Sequence, residues 1–104
     1  MAVSVFFKPN ESERAMAEPV VYFAHWCPDT EPFTAELKRL GVDYEPRDIT
    51  QSGANLKAFL RLRDSHAAFE QVRADGRIGI PVLVWRDEAV LDWQALADWH
   101  RADT

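Results

Sequence analysis

The sequence predicts an α/β fold in which one small mixed sheet is flanked by helices. Apolar runs and helix-like segments alternate along the chain in the order β-α-β-α-α-β-β-α. Two runs, Val20–Phe23 and Val82–Trp85, are continuously apolar and rich in β-branched and aromatic residues, as in strands buried on both faces. The chain of 104 residues is long enough for one core but too short for two domains of ordinary size.

The amino end of the chain differs in composition from the rest. Residues 1–18 form a predicted N-terminal extension, because an apolar start is followed by a polar stretch before Pro19. Apolar residues alternate within residues 3–7, which is the pattern of an edge strand. We therefore assign the folded domain to residues 19–104.

The first helix and the second strand follow the first apolar run. Phe33, Leu37 and Leu40 recur at helical spacing behind Pro28 and Pro32, two prolines that suit a helix start, and the glycine at position 41 predicts a left-handed cap. Residues 42–49 predict the second strand. A proline at position 46 places that strand at a sheet edge or marks its end.

Two helices occupy the middle of the sequence after a break at residues 51–53. The first is predicted to bury Leu56, Phe59 and Leu60. The second begins at Ser65, acting as its N-cap, and ends at the Asp-Gly pair of residues 75–76. Its predicted inward residues are Ala68, Phe69 and Val72.

The carboxyl-terminal part predicts a hairpin and a last helix. Residues 86–88 are turn-like, and residues 89–91 return beside the strand Val82–Trp85. Asp92 is the predicted N-cap of the last helix, whose inner face carries Trp93, Leu96 and Ala97. Trp85, Trp93 and Trp99 have core-like spacings, so we expect all three to pack inside.

Composition excludes several classes of function. Apolar residues make up 47% and charged residues 28%, which is typical of a soluble folded protein. A formal net charge of −5 argues against nucleic acid or an anionic membrane as partner. No apolar run approaches the roughly 20 residues that span a bilayer. A secretory signal is not evident either, so we expect a cytoplasmic protein.

The single cysteine, Cys27, is the principal candidate for chemistry. It excludes an internal disulfide and a multi-cysteine zinc site, and we expect no metal site. Cys27 stands between the first strand and the first helix, where unpaired N–H groups and the helix dipole favour the nucleophilic thiolate. Pro28 fixes the first turn, the Thr30 hydroxyl can face the sulfur, and His25 adds positive charge when protonated. The alternative is a buried structural cysteine.

A second feature lies about fifty residues downstream, where Ile80 and Pro81 open a strand. A proline at a strand start can follow a cis bond, which presents the preceding backbone to a neighbour. We expect a cis bond here and a partly exposed Cys27 sulfur.

These features resemble the thioredoxin-like fold, and most closely the glutaredoxins. The resemblance rests on residues 20–30 (Val-Val-Tyr-Phe-Ala-His-Trp-Cys-Pro-Asp-Thr) and 79–84 (Gly-Ile-Pro-Val-Leu-Val) and covers about residues 19–101. The Cys-Pro-Asp-Thr string, residues 55–64 and the Gly-Ile-Pro string are similar to a small bacterial group called glutaredoxin-related proteins.

The resemblance implies monothiol thiol–disulfide chemistry on glutathione mixed disulfides, because Thr30 stands where dithiol members carry a second cysteine. Cys27 would take up glutathione as a mixed disulfide, and a second glutathione would release it. Ile80, just before Pro81, would pair with the tripeptide as an added strand, and Thr30 would hydrogen-bond the sulfur. Asp92 would meet the ammonium group of glutathione, the Cys27 sulfur would lie beside Pro81, and Trp26 would shape the groove. The resemblance thus assigns catalysis to Cys27 and Thr30, and substrate binding to His25, Trp26, Pro28, Ile80, Pro81 and Asp92.

The chain departs from the family pattern at two places. Ala24 replaces a usual lysine, and residues 91–92 replace a Gly-Gly pair with its acidic neighbour. Arginines at positions 61, 63, 73 and 77 could supply carboxylate contacts instead, or lie on solvated helix faces.

Two other functions remain open. One is a non-catalytic thioredoxin-fold module that binds a peptide or glutathione. The other is an oxyanion reductase, which needs an arginine close to the cysteine, and the nearest one after Cys27 is Arg39. The sequence leaves the oligomeric state open.

Overall fold

The computed structural model describes residues 19–102, so the predicted extension and its edge strand at residues 3–7 lie outside the described residues. The strands are β1 (Val20–Phe23), β2 (Glu45–Asp48), β3 (Val82–Trp85) and β4 (Glu88–Val90). The α-helices are α1 (Thr30–Leu40), α2 (Gly53–Ser65), α3 (Glu70–Asp75) and α4 (Leu96–Ala102). Short 3₁₀ turns at Ala67–Phe69 and Trp93–Ala95 precede α3 and α4. The predicted order of elements is confirmed.

The four strands form one mixed sheet in the order β2-β1-β3-β4. β1 pairs in parallel with β2, and α1 makes the crossover that a parallel pair requires. β3 is antiparallel to both β1 and β4. The two continuously apolar strands are therefore the central ones, and the proline-containing strand lies at an edge, as predicted.

The sheet separates two apolar clusters, because alternate residues of a strand point to opposite faces. Val20 and Tyr22 pack in the cluster that contains Phe59 and Phe69, beneath α2 and α3. Val21 packs on the other face, in a cluster with residues of α1, β3 and α4, namely Phe33, Leu37, Leu83 and Leu96. Helices thus cover both faces of the sheet.

The glycine caps are confirmed, and the second strand is shorter than predicted. Gly41 and Gly76 end α1 and α3 with φ of 72° and 70°, in the left-handed region. β2 begins at Glu45 because the preceding residues complete the helix end: the Val42 amide donates to the Leu37 carbonyl at 3.0 Å.

The predicted buried stripe of α2 is wrong in part. Phe59 is fully buried, but Leu56 and Leu60 are each 39% exposed. Ala58 and Leu62 pack against the core beside Phe59 in their place. The helix is rotated because Asn55 turns inward and donates from its side chain to the Asp48 carbonyl at 3.0 Å.

Two predictions near helix starts are corrected. His66, not Ser65, caps the turn before α3, since its Nδ1 accepts from the Ala68 amide at 3.0 Å. Asp92 is a cap as predicted and accepts from the Gln94 amide at 2.9 Å, but it opens a 3₁₀ turn. That turn leaves Trp93 39% exposed, whereas Trp85 and Trp99 pack against the core.

No helix among residues 19–102 is both long enough and apolar enough to cross a membrane.

The loop between α3 and β3 is held by Arg63 of α2, and the connection between α2 and α3 is held by Arg73 of α3. Arg63 donates from Nε to the Ile78 carbonyl at 2.8 Å and from Nη2 to the Arg77 carbonyl. Arg73 donates to the carbonyl groups of Arg63 and His66. Gly79 in this loop has a φ of 98°, and a Cβ atom there would lie 3.1 Å from Phe69 and Val72.

We expect Gly79→Ala to lower the free energy of unfolding by about 1–3 kcal/mol, because the methyl group meets both a disfavoured φ and a packed core. Urea unfolding measures the loss. Gly53→Ala is the matched control, since a Cβ atom there meets nothing within 4 Å. Equal stability of the two variants would contradict this account of the loop.

Candidate functional site

The sulfur of Cys27 lies at the point where the chain leaves the sheet and turns into α1. Ala24, the residue after β1, is fully buried, and the Cys27 amide donates to its carbonyl at 3.0 Å. The Thr30 amide then donates to the Cys27 carbonyl at 3.1 Å. These bonds turn the chain so that the free thiol is only partly exposed, as predicted.

The same end of the sheet receives the start of β3. Because β3 is antiparallel to β1 and Val82 lies opposite Tyr22, the residues before Val82 meet the residues after β1. The Ile80–Pro81 bond is cis, as predicted. Ile80 precedes the first paired residue of β3, so its backbone lies beyond the β1–β3 ladder.

Cys27 and Pro81 line one cleft of about 670 Å³, which we call the Cys27 cleft. The structure brings Trp26, Cys27, Ile80, Pro81 and Asp92 together here, as the sequence predicts. Pro28 is exposed in the turn before α1 and does not line the cleft.

Sequence reasoning missed the other walls of the Cys27 cleft. They come from the start of α1, from α3, from the loop before β3 and from the segment after β4. These residues are Asp29, Phe33, Val72, Gly76, Ile78, Gly79, Leu91 and Trp93. Arg77, one of the arginines that the sequence offered for carboxylate contacts, also lines the cleft. Trp93 follows the predicted capping residue Asp92 directly, which was the available signal for its position.

The predicted hydrogen bond from Thr30 to the sulfur is wrong. The Thr30 hydroxyl donates to the Ala24 carbonyl at 2.8 Å, so its one proton is used there. The hydroxyl therefore ties the start of α1 to the end of β1. This hydrogen bond stabilises the turn that carries Cys27 and does not involve the sulfur.

His25 is also placed differently from the prediction. Its ring does not line the Cys27 cleft but bonds to Asp48, with Nδ1 2.8 Å from Oδ2. The His25 amide donates to the same oxygen at 3.2 Å. Since a carboxylate only accepts, Nδ1 carries a proton in this bond. Asp48 thus holds the residue two positions before Cys27 by its backbone and by its side chain.

Asp48 is the one buried charged side chain among residues 19–102. Burial by itself raises the pKa of this carboxyl, but hydrogen bonds from the Thr50 hydroxyl and amide and from the His25 ring and amide outweigh it. The net effect lowers the pKa of Asp48 well below its ordinary value of 3.8. Asp48 therefore remains ionised at neutral pH and continues to accept the hydrogen bonds from His25 in the turn before Cys27.

The arginines divide into two groups. Arg63 and Arg73 both donate to backbone carbonyl groups. Arg63 thereby supports the loop before β3, and Arg73 supports the end of α2. Arg77 lines the Cys27 cleft and pairs with Asp75 at 3.1 Å. Arg39, the residue that an oxyanion reductase would need, pairs instead with Glu36 on α1 and lies outside the cleft lining.

Within residues 19–102, no three His, Cys, Asp or Glu side chains group as metal ligands would. The Cys27 side chain brings the one thiol of the described residues into the cleft.

A mixed four-stranded sheet with helices on both faces, and a cysteine that shares a cleft with a cis-proline, is a thioredoxin-like fold. The crystal structure of the glutaredoxin (grx-1) from Archaeoglobus fulgidus has this fold. It matches with a TM-score of 0.57 and 27% sequence identity, over 88% of this chain and 94% of that chain. The chain is accordingly a thioredoxin-like protein of the redox type.

The sequence comparison gives a relative at higher identity. An uncharacterized protein of Haemophilus influenzae is 50% identical over 82 residues, which are 78% of this chain and 95% of the relative. The chain belongs to the same family as that protein. No family model matches the present chain.

We expect Thr30→Val to lower the free energy of unfolding by about 0.5–1.5 kcal/mol, because it removes the hydroxyl that bonds to the Ala24 carbonyl. Thr30→Ser keeps that hydroxyl and should stay closer to the wild type. Thermal and urea unfolding compare the three proteins. An equal loss in the free energy of unfolding for Thr30→Val and Thr30→Ser would show that this hydrogen bond does not stabilise the fold.

We expect Asp48→Asn to lower the free energy of unfolding at pH 7 by about 1–3 kcal/mol, because a neutral amide replaces a charged acceptor of four hydrogen bonds. The pKa of Asp48 is lowered on folding, so its contribution is complete above the ordinary value of 3.8. That contribution is lost as pH falls through the folded-state pKa.

The stability gap between the wild type and Asp48→Asn should therefore narrow as pH falls from about 5 towards 2, and urea unfolding at a series of pH values measures it. Exposed Asp43, changed to Asn, controls for the change in net charge. A gap of constant size across this range would contradict the assigned charge state.

Proposed function

We propose that the protein is a monothiol thiol–disulfide oxidoreductase that acts on glutathione mixed disulfides in cell redox homeostasis. The observation that carries the proposal is the partly exposed Cys27 thiol in one cleft with Ile80 and Pro81. The proposal includes a cytoplasmic location, where thiols are kept reduced by glutathione.

The reaction proceeds by two exchanges of sulfur partners. The Cys27 thiolate attacks the glutathione sulfur of a protein–glutathione disulfide, and the protein sulfur leaves with the electron pair and takes up a proton. A second glutathione, as its thiolate, then attacks the sulfur of the glutathione held on Cys27. Oxidised glutathione forms and the Cys27 thiolate returns. One free glutathione is consumed for each protein thiol released, and the other half of the oxidised glutathione comes from the mixed disulfide itself.

Three features of the Cys27 cleft support glutathione as the co-substrate. The Ile80 backbone lies beyond the sheet ladder, where an extended peptide can add to it. The Arg77 guanidinium lines the cleft and can meet a carboxylate. Asp92 uses Oδ1 to cap the following turn, which leaves Oδ2 for an ammonium group.

The departures from the glutaredoxin pattern limit how this binding can occur. Ala24 is fully buried, so the position where glutaredoxins carry a lysine offers no side chain to the Cys27 cleft. Leu91 precedes Asp92 where the glycines of the family pattern would allow the backbone of a ligand to approach closely. Contacts with the tripeptide therefore fall mainly to Arg77, Ile80 and Asp92.

A second candidate function is a non-catalytic module that binds a peptide or glutathione in the same cleft. Two observations favour it. The Thr30 hydroxyl is used by the Ala24 carbonyl, and the Asp29 carboxylate lines the Cys27 cleft, where it disfavours a second anion. Both reduce the support for a thiolate at Cys27.

We expect the purified protein to reduce a glutathionylated peptide in the presence of glutathione, and Cys27→Ser to lose this activity by at least about a hundredfold. The release of peptide thiol and of oxidised glutathione measures the reaction, and intact mass detects glutathione on Cys27. Serine keeps the size of the side chain, so folding should be unchanged.

Equal rates for the wild type and Cys27→Ser would contradict the oxidoreductase and favour the module. Binding of glutathione to the Cys27→Ser protein, measured by calorimetry, then tests the second function directly.

A further inference from the structure

Most of the exposed large apolar side chains in the described part of the molecule lie around the Cys27 cleft. Among residues 19–102, the exposed large hydrophobic side chains are Trp26, Leu56, Leu60, Ile78 and Trp93. Three of these, Trp26, Ile78 and Trp93, line the Cys27 cleft, and we call them the apolar rim. Their exposed fractions are 56%, 48% and 39%.

The apolar rim is assembled from three separate segments. Trp26 lies in the turn before α1, Ile78 in the loop before β3, and Trp93 in the 3₁₀ turn after β4. No single amphipathic element accounts for them, since each side chain comes from a different connection. Exposed apolar groups gathered around one concave site mark a surface for a partner, and tryptophan is prominent among residues that dominate such contacts.

Charges around the Cys27 cleft indicate the sign of that partner. The carboxylates of Asp29 and Asp92 line the cleft, and both residues are exposed. The one guanidinium in the lining, that of Arg77, is paired with Asp75. The balance at the cleft is therefore negative, and complementarity favours a cationic group on the partner.

We propose that the Cys27 cleft receives an extended segment of a partner protein that carries an aromatic or large aliphatic side chain beside its disulfide-bonded cysteine, with a basic residue close by. The apolar side chain packs on the apolar rim, and the basic residue faces Asp29. This inference rests on the proposed function, because it identifies which disulfides that chemistry would meet.

Glutathione by itself does not account for the apolar rim. The tripeptide has no large apolar side chain, so three exposed hydrophobic groups would gain little buried area from it. Its one ammonium group is met by Asp92 in the proposed function, which leaves the Asp29 carboxylate of the cleft without a cationic group opposite it. A protein segment on the other side of the mixed disulfide supplies both missing partners.

The test compares two glutathionylated peptides of equal length. One carries tryptophan and lysine next to its cysteine, and the other carries serine and glutamate. We expect kcat/KM to be at least about tenfold higher for the first peptide, since kcat/KM reports the free energy of recognition. Trp93→Ala should reduce that ratio to about threefold or less.

Leu56→Ala is the matched control, because Leu56 is exposed to the same extent as Trp93 but lines a different cavity. It should keep the wild-type ratio. Ile78→Asn serves as a second rim variant should Trp93→Ala fail to fold. Equal kcat/KM for the two peptides, or an equal effect of the rim variants and Leu56→Ala, would overturn the proposal.

A binding measurement separates this inference from the proposed chemistry. Both peptides, with serine in place of cysteine, are titrated into the Cys27→Ser protein by calorimetry. Tighter binding of the tryptophan–lysine peptide, weakened by Trp93→Ala, supports the partner even where neither glutathionylated peptide is reduced. Equal binding of the two peptides overturns it, whatever the enzymatic result.

Discussion

Antiparallel pairing of β1 with β3, in the register that sets Tyr22 opposite Val82, positions both halves of the Cys27 cleft. The chain leaves β1 towards Cys27 at the same end of the sheet at which Pro81 enters β3. A shift of one residue would turn Tyr22 and Val82 out of the core, because strand side chains alternate between faces. The packing that holds this register, with Tyr22 and Val82 buried in one cluster, therefore also holds the thiol beside the proline.

A buried carboxylate stabilises the turn that carries the thiol. Asp48, at the end of the edge strand β2, accepts hydrogen bonds from Thr50 and from both the ring and the amide of His25. A charged group inside the fold is favourable only when it is well bonded, and here the bonds connect the end of β2 to the turn after β1. Thr30 adds a second connection to this turn through the Ala24 carbonyl. The geometry at Cys27 thus depends on polar contacts that themselves never touch the sulfur.

Much of the fold and part of the site could be predicted from local patterns. The apolar run at Val20–Phe23, the left-handed glycines at 41 and 76 and the cap at Asp92 depend on residues within a few positions, so sequence reasoning identified them. The presence of Cys27 and Pro81 in one cleft followed from family resemblance, which carries tertiary information that spacing alone lacks. The likeness to a solved glutaredoxin agrees with that assignment at the level of fold.

What the sequence by itself determined is the set of elements, their order and the reactive atom, because periodicity, caps and a single sulfur are local properties. The tertiary structure alone decided the partners of the polar side chains: His25 meets a carboxylate 23 positions away rather than the thiol, and Thr30 bonds to backbone. It also decided that Trp93 is exposed at the cleft and Leu62, instead of Leu60, packs inward. Such outcomes depend on how elements rotate against one another, and that rotation is set by contacts between segments distant in the chain.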